Sequence, residues 1–482
     1  MTDVLIVGGG VAGLACAVAL ADRGMRPVVL EGAAHLGGRA ACWTDRTTGD
    51  VVDIGPHIFH SEYRNMLALL ERLGTRERIC WQPRKVIALA SDPALALRHA
   101  PLPPPLSLMP DMLRAPGLTL RDYLSMIRTG WRGMQLGEED VAALDAVDAL
   151  TFLRGHGVTE RLIDWWWRFA AMVVTSVPLE RCSAGSLLRI HAQLSGYRGL
   201  HFGFGAVGLG ELYAPQAQRI IEAAGGRVLT GCAVREVLGA ERVEGVRLAD
   251  GSTLHAPHVV SAVPAQAVRG LLPARWRDAA PFARLDTVEP SPYISCYLWF
   301  DRPIAIERFW SHLYSPDRLN YDFYDLTQIR QGWSGRPTVI ASNIIYSHRA
   351  HALSDDEIVQ ATVGELAEFA PAAQAKLVHA LVHRIPQAIP CPLPGFEALR
   401  PGARTPIPGL VLAGDWTRTA LPCTMESAAR SGALAAEQVL AERGRAARIA
   451  IEARAYDGIA GVVRGATVAY RQVRGRHRPP GA

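Results

Sequence analysis

Three glycines and one acid near the start of the chain have the types and spacing needed to hold a diphosphate. Gly8, Gly10 and Gly13 fit the pattern G-x-G-x-x-G. The first glycine makes a tight turn, the second lets a pyrophosphate approach the backbone, and the third lets a helix pack on a strand. Val11 and Ala12 would open that helix and turn its free N–H groups and positive dipole end toward the phosphate. Glu31, 18 residues past Gly13, is placed to accept hydrogen bonds from a ribose. The elements that must carry these residues are legible around them. Asp3 to Val7 reads as a buried strand, Val11 to Asp22 as a helix, and Pro27 to Leu30 as the next strand. The uncharged run from Val4 to Leu20 is a poor signal peptide or membrane span. Asp3 precedes it where a basic region would stand, and three of its residues are the fingerprint glycines.

A second motif answers the first from the far end of the chain. Gly37-Gly38-Arg39 follows Glu31, and Leu410 to Ala413 forms a strand ending in Gly414-Asp415. After a short loop, Met425-Glu426 opens a helix to about Leu440, with a small inner face of Ala428, Ala429, Gly432, Ala433 and Ala436. That helix offers a second positive dipole end, and the Asp415 carboxylate suits a polyol and its phosphate. A ligand clasped by both chain ends is long: FAD fits, and NAD as the sole ligand does not. Dehydrogenation by a flavin needs a C–H bond held near N5, a dry pocket and an exit for the proton. No Ser/His/Asp or paired-carboxylate arrangement stands out, and this chemistry requires none. No cysteine or histidine occupies the Gly414-Asp415-Trp416 turn, so FAD is expected to bind non-covalently, with Cys423 the nearest thiol in sequence.

With these motifs in hand, the chain resembles the flavin amine oxidase superfamily. The likeness rests on the Gly8 fingerprint, Glu31, Gly37-Gly38-Arg39, the Gly55-Pro56-His57 turn, and Gly414-Asp415 with Met425-Glu426-Ser427 and Ser431-Gly432. Within it, His57-Ile58-Phe59 with Tyr63 is similar to phytoene and zeta-carotene desaturases. Gly414 to Thr417, Leu421-Pro422 and Thr424 look more like hydroxysqualene dehydroxylases, and Tyr297 to Arg302 resembles a substrate-domain strand of both. The resemblance spans about residues 1 to 440. It implies that Gly55, Pro56 and His57 approach the flavin ring, that the Val234 backbone contacts adenine, and that His191 lies where the desaturases carry a cavity arginine. It implies a long-chain isoprenoid substrate, with quinone or oxygen as candidate electron acceptors. Amine oxidases of this superfamily often set a lysine beside N5. The strand Pro292 to Phe300 has none, and the two lysines, Lys85 and Lys376, fall in no matching motif. Amine oxidation is therefore the alternative, and a flavoprotein that binds lipid or a partner without turnover is a third reading.

At 482 residues, with 49% hydrophobic and 20% charged side chains, the chain is an ordinary globular one too long for a single core. We expect an α/β, Rossmann-type FAD-binding domain from residues 1–57, 210–265 and 395–440. An α+β substrate domain from 58–209 and 266–394 interleaves with it, and 441–482 is a basic extension. Strands are expected at Tyr293 to Phe300 and Thr338 to Ile345, helical pieces at Leu120 to Met134 and Ala142 to Arg154. Pro101 to Pro110 cannot be regular helix. The eight cysteines are scattered without metal-like spacing, which argues for reduced thiols in the cytoplasm and no metal site.

The net charge of +5 resides in the tail: residues 442–482 carry nine arginines and three acids, and the rest of the chain is near neutral. Nucleic-acid binding has no support in the body of the chain. A membrane surface is a candidate partner, on the inner face of the membrane, through an amphipathic tail set against the alternative of a loosely ordered basic extension. His57 reads either as a ring contact and proton relay or as a turn histidine bonding backbone; it and His191 are the candidate catalytic residues. Trp165-Trp166-Trp167 cannot all face one core from a helix, since neighbours lie roughly 100° apart. A cavity, a second domain or a membrane interface should receive at least one, unless all three serve as core and domain contacts. Phe59, Tyr63, Tyr297, Trp299 and this cluster are the expected aromatic lining of the substrate site.

Overall fold

A computed structural model describes residues 2–82, 85–90, 94–370 and 375–476. In chain order, the elements that position the site are β1 (Val4–Val7), α1 (Val11–Ala21), β2 (Pro27–Leu30), α2 (Arg64–Leu73), α3 (Ile127–Gln135), α4 (Ala184–Gly196), β3 (Arg227–Leu229), β4 (Val259–Ser261), β5 (Pro290–Phe300), β6 (Asp322–Asp325), β7 (Val339–Ile344), β8 (Leu377–Pro390), β9 (Leu410–Leu412), α5 (Met425–Glu442) and α6 (Gly458–Arg476).

Short apolar runs, buried on both faces except in the edge strand β3, make a parallel sheet in the order β3-β2-β1-β4-β9. Connections leave β1 toward β2 on one side and β4 lies on the other. The turn after β1 is therefore a topological switch point, where ligands of such sheets bind. Every residue of α1 is buried, because α5 lies across its outer side and their small residues let the two backbones approach. The parallel sheet thus draws its strands from residues 4–30, 227–261 and 410–412.

The second sheet is mostly antiparallel, and its order is β8-β5-β7-β6, continued by Phe309–His312, Lys85–Ala90 and Leu95–Arg98. Strands appear where expected at β5 and β7. The helical run expected over Ala142 to Arg154 is instead two helices, Glu138–Leu144 and Ala149–Gly155. Asp148 breaks it by accepting a hydrogen bond from the Thr151 N–H at 2.8 Å, an N-cap that restarts the helix.

The tryptophan cluster does not face a membrane or the site. It sits on one widened turn, Ile163–Trp167, that divides the indoles between two cores. Trp165 packs with Phe169, Tyr297 and Trp299, and Trp167 with Leu150, Phe152 and Leu187, while half-buried Trp166 touches both groups. Core and domain contacts account for all three.

The tail, through residue 476, is not a loosely ordered extension. Residues 443–457 run along the body, where Ile451 N–H donates to Asn65 Oδ1 at 2.8 Å. The chain then forms α6, packed on α3, despite its glycines. Three arginines of the tail turn inward. Arg471 pairs with Asp140 at 2.6 Å and with Glu139, Arg464 bonds the Leu136 carbonyl and covers the Tyr456 ring, and Arg454 pairs with Glu62 and Asp457. The side turned to solvent is apolar: Val462 is 74% and Val473 58% exposed, and on neighbouring α3 Ile127 is 63% and Trp131 50% exposed. The helix is amphipathic, with its apolar face outward. Among the described residues, no helix is long and apolar enough to cross a membrane.

Candidate functional site

One cavity of about 650 Å³ runs from the C-terminal edge of the parallel sheet to the face of the antiparallel one. Its first half has the form of a cradle for a diphosphate. A Cβ built on Gly10 would meet nothing nearer than the Gly37 carbonyl at 3.8 Å, so the space over this glycine is kept for a ligand. Gly8, Val11 and Ala12 line it, and the first N–H groups of α1 have no partner within the helix. Gly13 does not touch the cavity; a Cβ there would lie 1.9 Å from the Gly8 carbonyl, which is the helix-to-strand contact expected of a third glycine. Glu31 lines the wall, and its two carboxylate oxygens accept the Gly9 and Ala33 N–H groups, each at 2.8 Å. Each oxygen keeps capacity for a further donor.

Gly37, Gly38, Arg39, Val234, Gly414, Asp415 and Met425 also line the cavity. Arg39 and Asp415 form a two-pronged ion pair, 2.6 and 3.2 Å, that ties the two chain ends together. Glu426 is a correction. It is buried and faces away, accepting the Asn65 N–H and Asn65 Nδ2 through one oxygen and the Met66 N–H through the other, at 2.7 to 3.0 Å. The cause is geometric: Thr424 caps α5, so Met425 and Ala428 turn to the cavity while Glu426, about 100° round the helix from Met425, meets the N-terminus of α2.

The second half of the cavity begins at Gly55, Pro56 and His57. His57 Nδ1 lies 2.8 Å from the Gly55 carbonyl. A carbonyl only accepts, so Nδ1 carries the proton and Nε2 is the basic nitrogen. Burial lowers the His57 pKa. His191 is a correction. Although its pKa is shifted down to about 4 by desolvation, it stands outside the cavity against the Trp167 ring, 4.8 Å between centroids. Its neighbour Arg189 is held by Glu397 and Glu138. Of the expected aromatic lining, only Tyr63 reaches the cavity. Phe59 is core. Tyr297 and Trp299 share a face of β5 with the cavity-lining Tyr293 and Ser295, but the segment around Asp50 to Asp53 covers them and takes their polar atoms.

Sequence reasoning missed a set of polar residues in this half. His60 lies beside Tyr63 with its ring stacked on it, and burial holds its pKa at about 3. Asp322 and Tyr324 of β6, Ser295 and Tyr293 of β5, Asn343 of β7, and Ser176 also face the cavity. The only sequence signal was Asp322-Phe323-Tyr324-Asp325, a period-two polar pattern in a strand buried throughout. Neither lysine is among the lining residues, and the one cysteine there is Cys423, whose thiol burial pushes up to about 12.

This cradle has the length and donors for a flavin dinucleotide, and the comparisons agree. The family described as flavin containing amine oxidoreductase matches residues 11–440. A 15-cis-phytoene desaturase of Solanum lycopersicum is 28% identical over 91% of this chain and 77% of its own. The 15-cis-phytoene desaturase of Synechococcus elongatus is 27% identical over 91% of this chain and 96% of its own. Among solved structures, cyclohexylamine oxidase from Brevibacterium oxydans superposes with a TM-score of 0.69 at 20% identity, covering 92% of this chain and 100% of that one. Matched over most of its length and carrying the flavin cradle, the chain belongs to the family of flavin-containing amine oxidoreductases and is an FAD-dependent oxidoreductase.

Proposed function

We propose that this enzyme acts on a long-chain isoprenoid, as a desaturase of the carotenoid type or a dehydroxylase of the hydroxysqualene type. The observation that carries this reading is the second half of the cavity. Past His57 its walls include Ile58, Val173, Leu194, Phe202, Ile345 and Ile385, an apolar surface suited to a hydrocarbon chain. Curated relatives that match over nearly the whole chain include phytoene desaturases and a probable zeta-carotene desaturase. No lysine lies on the walls, where amine oxidases of this superfamily often set one beside the flavin.

In this reading the first turn of α1 holds the diphosphate, Glu31 the ribose, Val234 the adenine, and the Arg39–Asp415 pair with Met425 the remainder of FAD. Bound there, FAD supplies two-electron exchange at a substrate carbon. The chain's own work is to align that carbon, to exclude water and to manage the proton. His57 is neutral in its buried turn, with Nδ1 fixed on the Gly55 carbonyl, so Nε2 can take up a proton. The domain division at 1–57, 210–265 and 395–440 against 58–209 and 266–394, and a quinone or oxygen as electron acceptor, belong to the same proposal.

We place the protein at a membrane surface through the apolar face of α3 and α6. Ile127, Trp131, Val462 and Val473 are exposed on these two packed helices, and α3 packs on α4, whose Leu194 lines the cavity. A substrate confined to a bilayer would reach the cavity over a short path. Anaerobic photometry of the flavoprotein tests the function. Its flavin should respond to C30 or C40 isoprenoids in detergent, and reduction by simple amines with no response to any isoprenoid would overturn the reading.

A further inference from the structure

A wall built only for hydrocarbon would carry no buried polar groups, because each costs free energy unless it is hydrogen-bonded. The cavity of this enzyme carries a band of them beside the His57 turn. Asp322 is buried, and its Oδ2 accepts the Tyr324 hydroxyl at 2.9 Å, while Oδ1 has no partner. Directly across the β6–β7 ladder from Asp322 stands Asn343. Its side-chain oxygen accepts the Ser295 hydroxyl at 2.8 Å, and its Nδ2 lies 3.4 Å from the Pro56 carbonyl. On the same wall Tyr293 bonds the Ser176 hydroxyl, with Ser176 in a left-handed conformation (φ 64°). Three adjacent strands and one loop thus converge on a polar spot among Val173, Val174, Ile345 and Ile389.

The charge balance narrows the ligand. Among the described residues Asp322 makes no ion pair, and the arginine found lining the cavity, Arg39, is committed to Asp415. Burial raises the carboxyl to about 7 against the pull of its hydrogen bonds. The group is thus partly protonated near neutral pH, and in that form it can donate as well as accept. Such a group suits an uncharged oxygen better than an ammonium.

We propose that Asp322, flanked by Tyr324, Asn343 and Tyr293, is a recognition site for a hydroxyl oxygen on the substrate, so that the preferred ligand is an isoprenoid alcohol over the hydrocarbon of the same length. The proposal rests on the isoprenoid reading above and deepens it.

The test uses the purified, flavin-bound enzyme in detergent, titrated with squalene and with a C30 isoprenoid alcohol, and followed by intrinsic tryptophan fluorescence. The alcohol should bind at least about tenfold more tightly, the scale of one or two well-made hydrogen bonds. Asp322→Leu should abolish the preference, and Tyr324→Phe should weaken it. Infrared difference spectra give a readout independent of how well the variants fold: the protonated-carboxyl stretch should shift on adding the alcohol, stay still with squalene, and vanish in Asp322→Asn. Equal affinities in the wild type, or a preference that survives Asp322→Leu, would overturn the site and leave the isoprenoid reading standing. Binding of neither ligand would overturn both.

Discussion

Replacing Glu426 separates two roles that its place in the sequence confounds. As a cofactor ligand, the side chain would be dispensable for folding. In the structure it is instead the acceptor for the N-terminus of α2, taking three donors from Asn65 and Met66. Asn65 in turn holds the tail through the Ile451 carbonyl and N–H, both at 2.8 Å. A hydrogen bond to a charged acceptor contributes about 1.5–3 kcal/mol. The three do not simply add, because alanine also removes the cost of burying the carboxylate, a cost visible in its raised pKa. Glu426→Ala should therefore destabilise the protein by about 3–5 kcal/mol, the scale of breaking a buried charged contact. Glu426→Gln, which turns an N–H₂ toward one of the donors, should cost less, about 2 kcal/mol. Both variants, purified cold, should retain flavin near the wild-type ratio of 450 to 280 nm absorbance, with lowered thermal and urea midpoints. A Glu426→Ala protein as stable as wild type yet stripped of flavin would show that the carboxylate serves the cofactor and that the reasoning from hydrogen bonds fails.

Glu31→Ala should weaken FAD binding by about 1–3 kcal/mol, read as flavin occupancy after dialysis; since it also frees the Gly9 and Ala33 N–H groups, unchanged occupancy would refute the cradle. Denaturation should release all flavin into the supernatant, because the Cys423 thiol stays protonated at about 12 and a thiol is a poor nucleophile; yellow colour pelleting with the protein would contradict this. The combined change Ile127→Ser, Trp131→Ser and Val462→Ser should reduce liposome binding roughly a hundredfold, at about 1 kcal/mol for each half-exposed apolar side chain. Binding should change little with salt, since Arg464 and Arg471 face inward; strong salt dependence with the triple variant still bound would return the role to tail charge. Acid should destabilise the fold. His60, at about 3, and His191 and His312, at about 4, are neutral when folded but take protons below 6.5 when unfolded. Their stability is full above pH 6.5 and is lost as pH falls toward 4, by about 1.4 kcal/mol per unit for each. Asp322, raised to about 7, binds its proton in the fold first and offsets one of the three, leaving about 3 kcal/mol per unit. Equal denaturant midpoints at pH 7.5 and 5 would refute the balance.

Sequence alone determined the cofactor half of this protein. Gly8, Gly10, Gly13, Glu31 and Gly414-Asp415 are tied to short apolar strands by backbone requirements that only certain residues meet, so type and spacing identify them without tertiary context. What the chain could not disclose is which way side chains turn once elements pack. Met425 and Glu426 are neighbours in sequence, yet one faces the cavity and the other caps α2, because a helix rotates successive residues by about 100°. Tyr293 and Tyr297 share a strand face, but only the first meets the cavity, since residues from the distant 50–54 segment cover the second. The tail's arginines signalled an outward charged surface by composition. Glu139 and Asp140, more than three hundred residues earlier, draw Arg471 inward and leave the apolar side out. Asp322, the group on which the substrate proposal turns, lies in a strand that reads as core. Only the meeting of β5, β6 and β7 around it leaves a carboxyl oxygen unpaired inside an apolar chamber. Local backbone demands are written in short motifs, whereas the polarity of a pocket is set by long-range contacts that no window of sequence contains.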